Sequence, residues 1–116
     1  MNVKEFYQAA NSNYNDALSI MMNDFLIERM INKFMNDNSY AAMIEMYEKK
    51  DYRNLFATAH AFKGVTGNLA LTPLYEIASI ITEATRNSDD VNLDNEIKQL
   101  KNAYSIVEQA YEKYAK

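Results

Sequence analysis

Glycine and proline, the residues that most often interrupt helices and form tight turns, are scarce in this sequence. The 116 residues include two glycines and one proline, whereas average usage would give about fourteen of the two together. The chain therefore has little turn chemistry for a β-sheet, and it is rich in Ala, Met, Leu, Glu and Lys, which favour helix. We expect an all-α fold.

Length and composition limit the number of domains and the classes of function. A chain of 116 residues suits one domain, since single domains typically have about 100–150 residues, and we predict one domain over residues 1–116. The net charge of −4 argues against nucleic acid, whose binding needs a basic surface. The absence of cysteine excludes a disulfide framework, a thiolate zinc site and a cysteine nucleophile.

The apolar segments are too short for a membrane protein. The longest apolar runs fall far below the roughly 20 residues that a bilayer span requires. The first five residues include Lys4 and Glu5 and do not resemble the start of a secretory signal. We therefore expect a soluble, cytoplasmic protein with no membrane partner.

The first half of the chain contains helix starts followed by apolar residues at helical spacing. Asn2 and Glu5 resemble a capping pair that opens a short helix to about Ala10, and residues 13–16 can restart it toward residue 22. After Asn23, a helical face is predicted from Phe25, Leu26, Met30, Ile31, Phe34 and Met35, and it resumes with Tyr40, Met43, Ile44 and Tyr47. We interpret this region as one long bent helix or two collinear helices, interrupted at residues 36–39.

Three further helices are predicted in the second half. Asp51 is a candidate N-cap for residues 52–68, and a capping Thr72 hydroxyl before Pro73 indicates a helix to about Asn87. Residues 88–90 are read as a loop. The last helix has apolar residues at alternating steps of four and three: Leu93, Ile97, Leu100, Tyr104, Val107, Tyr111 and Tyr114. Four main helices with short connections predict an antiparallel four-helix bundle with an additional short N-terminal helix.

Residues 59–68 stand out chemically, because they contain the only histidine and both glycines. At about 100° per residue, a buried helical face is formed by Leu55, Ala59, Phe62, Thr66 and Leu69. His60 lies on the opposite side and is expected to face water. The same side carries Arg53, Phe56, Ala57, Lys63, Gly64 and Gly67.

The glycines distinguish His60 from an ordinary surface histidine, which is the commoner case for a lone histidine in a helical protein. A glycine inside a helix costs up to about 1 kcal/mol relative to alanine. Close contact between helices would explain such glycines, but the helical wheel places Gly64 and Gly67 on the His60 side. We interpret them as clearance for a molecule that approaches the backbone.

These residues suit the acceptance of a phosphoryl group. A neutral imidazole has a free lone pair that can attack phosphorus, and Lys63, one turn away, can offset the negative charge gathered there. No Asp or Glu shares the helical face of His60, and the sequence has no glycine-rich phosphate loop or His-Glu metal spacing. We predict a phosphocarrier and not an enzyme, so another protein must load and unload it.

Residues 55–69 read LFATAHAFKGVTGNL. This segment resembles the His-x-x-Lys-Gly core of histidine-containing phosphotransfer (HPt) domains, and the helical layout is similar over about residues 13–113. The resemblance implies a phosphorelay carrier of two-component signalling, which takes a phosphoryl group from the aspartate of one receiver domain and passes it to another. Its partners would be response-regulator receiver domains and a hybrid sensor histidine kinase, and we expect the chain to be a monomer.

The resemblance also implies roles for single residues. His60 would be the phosphoacceptor, Lys63 the cation beside the phosphoryl group, and Gly64 the clearance for the receiver. The surface around them, which we expect to bind the partner, consists of Arg53, Phe56, Ala57, Gly67 and Asn68, although Phe56 could equally lie under a neighbouring helix. Magnesium would belong to the receiver, so this chain is expected to hold no metal and no cofactor.

Two positions depart from the family pattern. The family often has glycine where this chain has Ala70, so the helix ends either on a left-handed Asn68 or by another route. The glutamate common in the following helix falls at or next to Thr82 or Glu83.

Two alternative functions stay open: a helical adaptor that binds a receiver without phosphotransfer, and a protein-interaction module outside signalling. His60 and Lys63 together favour the carrier over the adaptor, and the glycines favour it over the module.

Overall fold

A computed structural model describes residues 1–88 and 90–114 of the chain. Within these residues the chain forms seven helices and no strand, which confirms the all-α prediction. The helices are α1 (Val3–Ala9), α2 (Tyr14–Met21), α3 (Asp24–Met35), α4 (Ser39–Glu48), α5 (Tyr52–Asn68), α6 (Thr72–Thr85) and α7 (Asp94–Tyr114). None of these helices is both long and apolar enough to cross a membrane.

Polar side chains cap four of the helices where the sequence predicted a start. In each case a side-chain oxygen accepts a hydrogen bond from the backbone N–H three residues further on, which satisfies a group that has no partner inside the helix. The four capping residues are Asn2, Asn13, Asn23 and Asp51. Local side-chain chemistry therefore sets where α1, α2, α3 and α5 begin.

Helix α6 begins differently from the prediction. Its N-cap is Leu71, and no side chain caps it, so the prediction that the Thr72 hydroxyl acts as the cap was wrong. Thr72 is already helical and Pro73 lies in the first turn, where a missing N–H costs no hydrogen bond. The helix ends at Thr85 instead of Asn87, which has a left-handed φ of 57°. In the predicted loop at residues 88–90, Asp89 lies outside the described residues.

The region from residue 24 to residue 48 forms two helices, so the interpretation as one long bent helix was wrong. Helix α3 buries Ile27, Ile31 and Phe34, which are four and three residues apart. The prediction that Phe25 and Leu26 lie on this buried face was wrong, and the Phe25 side chain is 72% exposed. Phe25 is two residues from Ile27, which at about 100° per residue places it on the opposite side of the helix.

The helix pair α3 and α4 forms a four-helix bundle with α5, α6 and α7, as predicted. Helices α5 and α6 have the most extensive contact and are joined by the short turn at residues 69–71. The ring of Phe34 lies 5.5 Å from that of Phe62 and 6.2 Å from that of Tyr104, measured between centroids. These rings connect α3, α5 and α7 in one hydrophobic core, and the buried face of α5 packs against it.

The N-terminal segment adds two short helices to the bundle, and the second begins where the sequence predicted that the helix restarts. Helix α1 packs on α7, and the backbone N–H of Asn2 donates a hydrogen bond of 3.0 Å to the carbonyl oxygen of Tyr114. The phenol of Tyr7 is fully buried and donates to the carbonyl oxygen of Leu69. Helix α2 contacts α3 and α5. Both helices therefore support the bundle near the end of α5.

Candidate functional site

Helix α5 presents its buried and exposed faces as the sequence predicted. The residues that it turns toward the core are Leu55, Ala59, Phe62 and Thr66, and Leu69 follows them in the next turn. The one polar group among them is satisfied, because the Thr66 hydroxyl donates to the carbonyl oxygens of Phe62 and Lys63. With this face buried, His60 stands exposed on the opposite side.

The imidazole of His60 lies against the ring of Phe56, one helical turn earlier. The two rings are nearly parallel, with an interplanar angle of 13° and 6.0 Å between their centroids. Phe56 is half-buried. The sequence left open whether this side chain belongs to the surface patch or lies under a neighbouring helix. The structure places it beside His60 with one side covered by Arg86, the residue directly after α6, whose guanidinium carbon lies 4.9 Å from the ring centroid.

Arg86 is held in turn by Glu83, one turn earlier on α6. Its Nε atom donates to Oε2 of Glu83 at 3.2 Å, and its Nη2 atom donates to Oε1 at 3.0 Å. This hydrogen-bonded ion pair lowers the pKa of the Glu83 carboxyl, and the charges of Lys63 and His60 lower that pKa further. Glu83 and Arg86 therefore stand beside the Phe56 ring that packs on His60.

This acidic residue near His60 could not be predicted from α5. No carboxylate shares the face of α5 that carries His60, and Glu83 comes from α6 instead. Of the two positions left open there, Thr82 is fully buried and donates its hydroxyl hydrogen bond to the Ala78 carbonyl oxygen. Glu83 is the exposed one. The signal that could have found it was the family's glutamate in this helix, which the sequence placed at or next to Thr82 or Glu83.

The two glycines of α5 have different surroundings. A Cβ atom at Gly64 would have no heavy atom within 4 Å, so the space beside this residue is open. A Cβ atom at Gly67 would lie 3.0 Å from Cδ1 and 3.1 Å from Cε1 of Tyr75 on α6. The interpretation that both glycines serve an outside molecule was therefore wrong for Gly67. Close packing of α5 against α6 explains the glycine at position 67. Of the two glycines, only Gly64 has open space beside it.

The other predicted site residues are distributed along the exposed side of α5. Arg53, Ala57 and Asn68 are exposed, and Lys63 is half-buried. Arg53 and Phe56 line a cavity of about 520 Å³ whose other walls are Thr85, Arg86, Asn87 and Ser88. Asn68 follows His60 by eight residues, which is about 12 Å along a helix. The structure thus joins Arg53 and Phe56 to the end of α6 and leaves Asn68 apart from them.

The match to known families agrees with this geometry. The family model described as Hpt domain matches residues 22–110, which is most of the chain. The chain belongs to the Hpt domain family. No curated protein and no solved structure matches it significantly.

Hpt domains are phosphotransfer carriers of two-component signalling, and they interact with the receiver and kinase components of these systems. They are phosphocarriers and not enzymes with a kinase site of their own. The match begins at residue 22, later than the expected start near residue 13, so α1 and α2 lie outside it. Among residues 1–88 and 90–114, no group of three His, Asp or Glu side chains could hold a metal ion.

Helix α5 of this Hpt domain does not end on a left-handed Asn68 and ends by another route. Asn68 is helical, and Ala70 has the left-handed conformation with φ of 52°. The Ala70 N–H donates to the carbonyl oxygen of Gly67 at 3.1 Å, and the Leu71 N–H donates to that of Thr66 at 3.0 Å. This pair of hydrogen bonds is a Schellman motif. An alanine here occupies the position where glycine is favoured.

Proposed function

We propose that this Hpt domain is a working phosphorelay carrier and that His60 is its phosphoacceptor. In this proposal the phosphoryl group comes from the aspartate of one receiver domain and passes to another receiver. The observation that carries the proposal is the exposed imidazole of His60 beside the open space at Gly64. An approaching active site can reach the ring from the side of Gly64, where no side chain projects.

The transfer is a nucleophilic displacement at phosphorus. The lone pair of one imidazole nitrogen attacks the phosphorus atom of the aspartyl phosphate, an N–P bond forms, and the P–O bond to the aspartate breaks. The carboxylate leaves with the electron pair, and the other ring nitrogen keeps its proton. The same steps in reverse load the next receiver. Lys63 offsets the negative charge on the phosphoryl oxygens, and Gly64 gives the receiver clearance.

The remaining requirements belong to the partners. Phosphoryl transfer of this kind uses magnesium to neutralise charge, and we propose that the receiver binds it and that this chain holds no cofactor. The receiver would dock on the surface formed by Arg53, Phe56, Ala57 and Asn68. Its apolar centre at Phe56 and polar edge at Arg53 and Asn68 resemble the usual arrangement of a protein interface. A hybrid sensor histidine kinase would supply the phosphoryl group through its own receiver, and this domain would act as a monomer.

Phosphotransfer from a labelled receiver tests the proposal. A phosphorylated receiver domain is incubated with this protein and magnesium, and the label is followed in wild type and in His60→Gln. We expect transfer to wild type and none to the variant. Transfer that persists in His60→Gln would remove the site assignment. Binding of the receiver without any transfer to wild type would favour the adaptor, and absence of both would favour a module outside signalling.

A second comparison tests the clearance at Gly64. Gly64→Leu should fold normally and transfer the label at least tenfold more slowly, because its side chain fills the open space where the receiver approaches. Ala41→Leu, at an exposed position of α4, adds the same side chain outside the site and should transfer as wild type does. Equal rates for Gly64→Leu and Ala41→Leu would refute the clearance argument.

A further inference from the structure

Glu83 is an unfavourable neighbour for a phosphoryl group on His60. Its carboxylate is hydrogen-bonded to Arg86, whose guanidinium carbon lies 4.9 Å from the ring centroid of Phe56, the ring beside His60. The charges of Lys63 and His60 also lower the pKa of this carboxyl. A phosphoryl group adds up to two negative charges, and nearby like charges repel each other. An unpaired Glu83 would therefore oppose phosphorylation of His60 and offset part of the benefit of Lys63.

Arg86 neutralises this carboxylate. The two hydrogen bonds of 3.0 and 3.2 Å use both oxygens of Glu83 and two nitrogens of the guanidinium. Such two-point contacts fix the orientation of the arginine as well as the charge balance. The pair is exposed, with 45% of the Arg86 side chain and 62% of the Glu83 side chain accessible. Its contribution to stability is therefore small, which favours a role at the site.

Phe56 connects the ion pair to the phosphoacceptor. Its ring is in contact with the guanidinium of Arg86, at 4.9 Å from the centroid, and is parallel to the imidazole of His60, at 6.0 Å. A cation over an aromatic ring is attracted to the electrons of the ring face. Phe56 therefore holds the guanidinium of Arg86 near His60, where the positive charge of Arg86 stays beside Glu83.

From this geometry we propose that Arg86 and Glu83 form a positioning pair that sets how readily His60 is phosphorylated. Arg86 promotes phosphorylation by cancelling the charge of Glu83, and Glu83 opposes it whenever Arg86 is displaced. The inference deepens the proposed function and rests on His60 as the phosphoacceptor. It adds Glu83 of α6 and Arg86, directly after that helix, to a site otherwise built from α5.

Phosphoramidate, a small phosphoryl donor, tests the pair without any receiver. The imidazole nitrogen attacks its phosphorus, an N–P bond forms, the P–N bond to the amine breaks and ammonia leaves. The rate of appearance of the phosphohistidine ³¹P resonance is measured for wild type, Arg86→Gln, Glu83→Gln and the double variant, with His60→Gln as the blank. The exposed pair formed by Glu45 of α4 and Lys49, directly after that helix, supplies a matched control, Lys49→Gln.

We expect opposite changes in the two single variants. Arg86→Gln should slow phosphorylation by roughly three- to tenfold, Glu83→Gln should accelerate it by a similar factor, and the double variant should return close to wild type. Arg86→Lys should recover part of the rate, because it keeps the charge and loses the two-point geometry. These differences should shrink in 1 M salt, where exposed charges are screened within about 3 Å. Lys49→Gln should match wild type.

Two results would overturn the inference: unchanged rates in both single variants, or rate changes of the same sign in both. A structural defect would change both rates in the same direction, whereas the charge pair predicts opposite directions. The proposed function fails separately. If the protein reacts with phosphoramidate at His60 but takes no label from a receiver, the proposed relay function is contradicted. The rates of the variants with phosphoramidate still test the charge pair.

Discussion

The phenol of Tyr7 donates a hydrogen bond of 2.6 Å to the carbonyl oxygen of Leu69. Tyr7 belongs to α1, outside the residues that match the Hpt family, whereas Leu69 lies in the turn directly after the His60 helix. Both residues are fully buried, and burial raises the pKa of the Tyr7 phenol. This contact ties the N-terminal segment to the end of α5.

Tyr7→Phe should lower the free energy of unfolding by about 1–2 kcal/mol, because it leaves the buried Leu69 carbonyl without this partner. Urea unfolding measures the change. Tyr14→Phe is a suitable control, since the hydroxyl of Tyr14 bonds to Asp24 in an exposed position, and its loss should cost less than about 0.5 kcal/mol. Equal costs for the two variants would contradict a specific role for the Tyr7 hydroxyl.

Ala70→Gly should stabilise the protein by up to about 1 kcal/mol, because Ala70 has a left-handed backbone that costs an L-residue about 1–2 kcal/mol. The loss of one buried methyl group and the greater freedom of glycine in the unfolded chain offset part of that gain. Ala70→Val should destabilise the protein, since a β-branched residue fits this conformation poorly. Thermal unfolding distinguishes the two directions, and a lower midpoint for Ala70→Gly would count against this account.

Gly64→Ala and Gly67→Ala should differ although both glycines lie in α5. Alanine at position 64 meets open space, so the variant should gain about 1 kcal/mol from helix propensity. Alanine at position 67 places its Cβ 3.0 Å from Tyr75, and the variant should gain less or lose stability. In a Tyr75→Ala background the gain at position 67 should approach that at position 64. Equal gains in the wild-type background would show that the tyrosine ring moves freely.

Tyr104 should make the protein less stable at alkaline pH. Burial, assisted by the charge of Glu108, raises the pKa of Tyr104 to about 12, whereas an unfolded tyrosine titrates near pH 10. Between these values the unfolded chain loses its proton first, so the free energy of unfolding falls by up to about 1.4 kcal/mol per pH unit. Below pH 10 Tyr104 keeps its proton in both states, so the free energy of unfolding is not reduced by its titration.

Tyr104→Phe should flatten that decline while keeping the ring stacked on Tyr40, whose centroid lies 3.8 Å away. Urea unfolding at several values between pH 9 and 12 compares the two proteins, because pH 9–12 spans the unfolded and folded pKa values of Tyr104. Parallel pH profiles would show that Tyr104 does not cause the loss.

Much of the site could be predicted because it lies on one helix. The buried face from Leu55 to Leu69 and the exposed position of His60 follow from a period of 3.6 residues, which the sequence displays directly. The caps at Asn23 and Asp51 are equally local, since a side chain bonds to a backbone N–H three residues away. Phe25 shows the limit of this reasoning, because its hydrophobicity suggested burial and its angle on α3 decided exposure.

Contacts between helices could not be read in the same way. Gly64 and Gly67 are equivalent in sequence terms, and only the position of Tyr75 on α6 separates them. Glu83 and Arg86 stand more than twenty residues from His60 in the sequence. Whether they reach it depends on how α6 packs on α5.

The sequence by itself determined the helical class, the family pattern around His60 and the side of α5 on which that residue stands, because these depend on neighbours along the chain. The tertiary structure alone decided that Phe56 lies between His60 and Arg86, that Glu83 approaches the site, and that Tyr7 supports the turn after α5. Those contacts join residues distant in sequence, and their geometry is set when the helices bury their apolar faces together in one core.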